Sequence, residues 1–285
     1  MTQQTCILTI RCSDAVGIVA AVSSALAAHD AFLTESSHFG DDGTRLFFMR
    51  TVFRVPDAGP SMLDDFREIL RPVRERFAMQ MALHEASRRM KVMLAVSKHA
   101  HCLSHLLHRW QADELPIDVV GVVSNHDDLR RLVEWYGLPY HLLPATGGKA
   151  EQEARLFDLF ASSGAELLVL ARYMQVLSDD LCRRLEGRCI NIHHSFLPSF
   201  KGARPYHQAH DRGVKVIGAT GHYVTADLDE GPIIEQETVR VDHAMSADAF
   251  VRLGKDIENV VLARAVQWHA EHRVMLNGHR TVVFR

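Results

Sequence analysis

A chain of 285 residues exceeds the usual size of one compact core and suits two domains. Hydrophobic residues make up 47% and charged residues 24%, the balance of a folded globular protein, and a formal net charge of -3 gives no global attraction for nucleic acid or an anionic membrane. The five cysteines (Cys6, Cys12, Cys102, Cys182, Cys189) are odd in number and lack a C-x-x-C pair, the start MTQQTCILTI has no leader pattern, and no apolar run reaches about 18 residues. Disulfide frameworks, zinc knuckles and membrane spans are thereby set aside, and a cytoplasmic protein is expected.

Residues 5–11 alternate as a strand, and Ser13-Asp14-Ala15-Val16-Gly17 forms a polar turn ahead of the alanine-rich helix IVAAVSSALAAH. Strands over 31–39 and 45–53 flank Gly40-Asp41-Asp42-Gly43, a dense hairpin signal. Met62, Phe66, Ile69 and Leu70 fall at helical spacing within 60–77, and 78–83 supplies a fourth strand. The order is βαββαβ, a ferredoxin-like unit over residues 1–85.

DAVGIVAAVSSAL together with HFGDDGTRLFFMR resembles the ACT domain, a module that binds an amino acid between paired copies. The resemblance implies a homo-oligomer, dimer or tetramer, and an amino-acid effector held by Asp14, Gly17 and Ile18. Glycine at a strand-to-helix turn lets backbone N–H groups approach a carboxylate, and the helix start adds favourable partial charge. A second reading stands beside it, in which Asp14 and Gly17 only shape the turn and cap the helix.

After EASRRMK the pattern changes. KVMLAVS, IDVVGVVS, LPYHLLP, AELLVLA and GRCINI read as buried strands separated by helix-length segments. Residues 86–285 are therefore expected to form a Rossmann-like α/β domain with a mostly parallel sheet, whose ligands sit beyond the carboxyl ends of the strands. GRCINI runs into Asn191-Ile192-His193-His194-Ser195-Phe196-Leu197-Pro198, where alternation puts Asn191 and His193 on one side. Farther on, Gly221-His222-Tyr223-Val224-Thr225-Ala226-Asp227-Leu228-Asp229-Glu230-Gly231-Pro232 enters an acidic loop closed by Gly-Pro.

NIHHSFLPSFKGARPYHQA with GHYVTADLDEGPIIEQ resembles the formyltransferase family, from about Lys91 to the C-terminus. The resemblance implies a catalytic set of Asn191, His193 and Asp229. It assigns folate contacts to Met174, Gln175, Val176 and Leu177 in LARYMQVL, and to Val224 and Asp227; Met174, Val176 and Leu177 suit a core equally well, and Gln175 stands where some relatives carry arginine. His194 with the SFLP and GARPYHQA wording is closest to the branch that hydrolyses 10-formyltetrahydrofolate, releasing formate for purine and one-carbon metabolism.

The residue types suit that chemistry. Attack on a formamide carbonyl creates an oxyanion, which an amide N–H and an imidazole stabilise, and the departing amine needs a proton. No cofactor beyond the folate substrate, and no metal, is implied. His99, His101, His105 and His108 invite a metal reading, yet no carboxylate or cysteine completes a motif around them and the chain has 18 histidines. Ser195 lacks a G-x-S-x-G elbow. The turn Ser97-Lys98-His99-Ala100-His101-Cys102 has no glycine with which to cradle a phosphorylated acceptor, which favours water, although Lys98 leaves phosphate binding open. Transfer of formyl to an amine, and a non-catalytic folate-binding sensor, remain the alternatives.

Overall fold

Alternation along the first strand decides the architecture of the first unit. In the computed structural model, which describes residues 3–56, 59, 61–145, 148–198 and 205–285, the elements of this unit are β1 (Gln3–Ser13), α1 (Ile18–Ala27), β2 (Phe32–Asp41), β3 (Leu46–Pro56), α2 (Met62–Arg76) and β4 (Gln80–Glu85). They form an antiparallel sheet in the order β2-β3-β1-β4, the ferredoxin-like topology. Cys6, Leu8, Ile10 and Cys12 of β1 and Phe47, Met49, Phe53 and Val55 of β3 enter one core with Ile18, Val22 and Leu26 of α1 and Met62, Phe66 and Leu70 of α2. The helical spacing of four builds a single apolar stripe on each helix, and each large side chain so buried contributes roughly 1.5–3 kcal/mol.

Two boundaries differ from the sequence reading for local reasons. Ala78 adopts a φ of 47° and Met79 N–H bonds back to Arg74 O, so the helix end delays β4 to Gln80. Arg45 takes a φ of 56° in the turn that Asp41 accepts, so β3 begins one residue later. Pro60 lies outside the described residues.

The second unit holds β5 (Met90–Val96), α3 (His101–Gln111), β6 (Ile117–Ser124), α4 (Arg130–Trp135), β7 (Tyr140–Leu142), α5 (Lys149–Ser162), β8 (Leu167–Leu170), α6 (Asp179–Arg184), β9 (Cys189–His193), α7 (Pro205–Asp211), β10 (Val216–Tyr223), β11 (Ile233–Arg240) and α8 (Ala247–Ala270). Its seven-stranded sheet runs β11-β10-β9-β8-β5-β6-β7, parallel from β7 to β9 and antiparallel over β10 and β11. β8 is buried along its length, as its unbroken apolar run requires. The chain leaves β5 toward β6 and returns on the other side as β8, so a switch point lies where β5 and β8 end.

Residues 271–277 and 282–285, including β12 (Val274–Asn277), belong with the first unit rather than with the second. The cause is ionic: Arg273 Nη1 lies 3.0 Å from Glu35 Oε1, Arg50 reaches the same oxygen at 2.7 Å, and Arg50 donates twice to the Glu271 carbonyl. Against the upward pull of burial, the two arginines hold the Glu35 carboxyl below its usual range. Asn277 Nδ2 donates to Asp41 Oδ2 in the same way. β12 pairs with β13 (Arg280–Val283). Among the described residues no helix is long and apolar enough to cross a membrane.

Candidate active site

A cavity of about 670 Å³ opens at the carboxyl ends of β5, β8 and β9. Asn191 and His193 reach it from β9, and Asp229 from the loop between β10 and β11. His193 is 4% exposed, and its Nδ1 lies 3.2 Å from Asp229 Oδ1. The carboxylate can only accept, so Nδ1 carries the proton. That hydrogen bond holds the Asp229 carboxyl below its ordinary value in spite of partial burial. With Nδ1 committed, His193 presents Nε2, which is buried and has no hydrogen-bond partner among the described residues. Asp229 itself has a φ of 59°, a left-handed conformation that aspartate tolerates better than most residues.

His222 completes the arrangement, and the sequence reading gave it no role. Antiparallel pairing sets His222 of β10 directly opposite Asn191 of β9. Its Nδ1 donates to Tyr223 O at 2.9 Å, which leaves Nε2 as an acceptor for Asn191 Nδ2–H at 3.2 Å. The Asn191 amide is thus oriented with one N–H fixed on His222 and a second N–H remaining. Burial lowers the His222 pKa and keeps the ring neutral, as this role needs. His222 stands within GHYVTADLDEGPIIEQ, but only the register of two neighbouring strands pairs it with Asn191.

Met174, Gln175, Val176, Leu177 and Val224 all line the cavity. Met174 and Val176 are 53% and 56% exposed, as lining residues rather than core, whereas Leu177 packs into the core beneath. Asp227 is not brought into the lining; it is exposed, and its carbonyl accepts from Thr225 Oγ1 and Glu230 N to shape the loop. The β5 turn is tied to the same region, because Ser97 Oγ accepts from Met174 N at 2.9 Å and donates to Asn125 Oδ1 at 2.7 Å. In the first unit, Gly17 caps α1 with a φ of 93° and Asp14 makes no capping bond to the helix. The Ile18 side chain is core, which leaves only its backbone for a ligand.

Behind the cavity sits Glu258 of α8, almost fully buried. It accepts from His101 Nε2 at 2.8 Å and from Tyr206 O–H at 2.9 Å, with Arg172 Nε at 3.5 Å. These partners outweigh burial and keep its carboxyl ionised. Gly254, one turn earlier, permits this: a Cβ there would run into the Tyr206 ring. His101, Cys102 and Glu258 bring potential metal ligands within 4.8 Å of one another, while Glu258 already accepts from His101 through Oε2 and from Tyr206 through Oε1. The donor set fits a charge network better than a metal centre. His105 is not part of it. Ser199 to Arg204, within the first motif, lie outside the described residues.

Comparison with known proteins agrees with this architecture. Residues 90–266 match the model of the family described as formyl transferase. A formyltetrahydrofolate deformylase of a Corynebacterium species is 50% identical over 98% of both chains. The crystal structure of the enzyme of that name from Burkholderia mallei superposes with a TM-score of 0.94 at 52% identity, covering 99% of this chain and 100% of the other. That from Pseudomonas syringae pv. tomato gives a TM-score of 0.95 at 48% identity, covering 100% of this chain and 95% of the other.

Proposed function

The chain belongs to the formyltetrahydrofolate deformylase family, and from that membership we infer that it hydrolyses 10-formyltetrahydrofolate to formate and tetrahydrofolate. The observation that carries the chemistry is the pairing of His193 Nδ1 with Asp229, which presents Nε2 to the cavity beside Asn191. The folate ring lies against Met174, Gln175, Val176, Leu177 and Val224. Asp229 orients the attacking water. As its oxygen bonds to the formyl carbon the water gives a proton to His193 Nε2, and the remaining Asn191 N–H together with the Nε2–H so formed holds the oxyanion. The carbon–nitrogen bond then breaks, His193 gives its proton to the departing folate nitrogen, and the formic acid released ionises to formate. Asp229, ionised throughout, stabilises the cationic imidazole in between.

Purified protein given 10-formyltetrahydrofolate and no acceptor is expected to release formate and tetrahydrofolate in equal amounts. A transferase site is organised to place an amine, and water reacts slowly there by comparison. The decisive comparison is formate release with and without glycinamide ribonucleotide. Background formate alongside formylated ribonucleotide would replace hydrolysis by transfer; folate binding with neither product would make the chain a sensor.

For the first unit the proposal is an amino-acid effector in a homo-oligomer. Its support is the turn at Asp14 to Ile18, where Gly17 holds a left-handed φ with open space around it and the first N–H groups of α1 have no side-chain cap. Calorimetry against the twenty amino acids should give heat with at least one, lost in Gly17→Val. No heat with any would reduce the unit to an assembly element.

A further inference from the structure

Arg172 follows β8 with a φ of 66°, a left-handed conformation that costs a bulky residue about 1–2 kcal/mol and persists where the surroundings enforce it. Its side chain is only 10% exposed and lines the same cavity as Asn191 and His193. Yet neither Nε nor Nη1 finds a hydrogen-bond partner among the described residues. Glu258 balances the charge without satisfying the donors: Arg172 Nε stands off at 3.5 Å from Oε2, which accepts from His101, while Oε1 accepts from Tyr206. Lys255 adds a second cation to the lining. His99 and His194 are held neutral, by burial first and then by the charge of Arg172, His194 being pushed down to about 3. Two cations and two carboxylates, Glu258 and the His193-bound Asp229, thus line the cavity, and a buried guanidinium retains unused N–H groups.

We propose that Arg172 is the receptor for formate, the anion that hydrolysis leaves in the cavity. This rests on the hydrolytic reading above. Hydrolysis breaks the carbon–nitrogen bond and makes one carbon–oxygen bond to water, so an uncharged formamide becomes a planar carboxylate beside the folate amine. A guanidinium fork matches two carboxylate oxygens with paired N–H donors, and such charge-assisted bonds are strongest where water is excluded. The position selects the small product rather than the carboxylates of the folate tail. Arg172 is nearly covered, whereas Met174, two residues on, is 53% exposed at the open side of the cavity.

Equilibrium dialysis of radiolabelled formate against the full-length protein loaded with tetrahydrofolate tests this. Wild type should bind formate saturably, Arg172→Met should bind it about 10- to 100-fold more weakly, and Arg172→Lys should fall between. Phosphate should compete poorly. Circular dichroism and tetrahydrofolate affinity check that Arg172→Met is folded; if it is not, Arg172→Lys against wild type still decides, since a lysine lacks the fork. Equal formate affinity in folded wild type and variant, no saturable binding, or stronger binding of phosphate would each overturn the proposal. Acceptor-free turnover measured on the same preparation separates the two readings, because its absence sinks hydrolysis while the binding comparison still judges the subsite.

Discussion

Asp229→Asn is expected to leave the fold intact and to lower turnover about 100- to 10,000-fold, the range set by losing a proton-handling group. The substitution keeps shape and backbone preference: Asp229 sits at a φ of 59°, which asparagine also accepts, while alanine would add left-handed strain to the result. The loop is held independently by the bond from Tyr223 N to Pro232 O at 2.9 Å. What disappears is the charge that stabilises a protonated His193. Because the His193 bond lowers the Asp229 pKa, the carboxylate and its contribution persist above the usual aspartate range and are lost only as pH falls through the lowered value. The defect should therefore be the same at every pH from about 5 to 9. Steady-state kinetics with circular dichroism measures both halves, and a folded variant within a few-fold of wild type would remove Asp229 from the mechanism.

Asn191→Ala should cost about 100- to 1000-fold in kcat with little change in KM, the pattern of a donor used only in the transition state. His222→Ala should reproduce a part of that loss, roughly 10-fold, because it frees the Asn191 amide to rotate while deleting neither of its N–H groups. The pair forms a cycle. If the two substitutions were additive, His222 would be acting on something other than Asn191.

Much of this was legible in the residues. The apolar runs VVGVV within IDVVGVVS and LLVL within AELLVLA mark β6 and β8, because central parallel strands are buried on both faces. Asn191 and His193 were found because a period of two fixes which residues share a side. The partners of those residues were not legible, and for a uniform reason. His222 meets Asn191 through antiparallel register, Glu258 meets His101 and Arg172 from a helix far along the chain, and neither relation leaves a local pattern. Arg172 lies within LARYMQVL, but nothing in a sequence marks an arginine as left-handed. Asp227 and Asp229 share one acidic loop, and only the turn geometry separates the exposed Asp227 from the cavity-lining Asp229.

The stapling of residues 271–277 onto the first unit changes what a dissection of this protein can mean. A fragment cut after Arg89 would contain the βαββαβ unit yet leave Arg50, 2% exposed, without the Glu271 carbonyl that accepts from it, and Glu35 without Arg273. Arg50 keeps its pair with Glu35 but loses both bonds to the Glu271 carbonyl, and hydrogen bonds from a charged group are typically worth about 1.5–3 kcal/mol, a large share of the stability of so small a domain. Failure of that fragment to fold or to bind an amino acid would consequently say nothing about sensing. A circular permutant that joins the C-terminal segment to the front of the unit is the smallest piece that retains its own scaffolding.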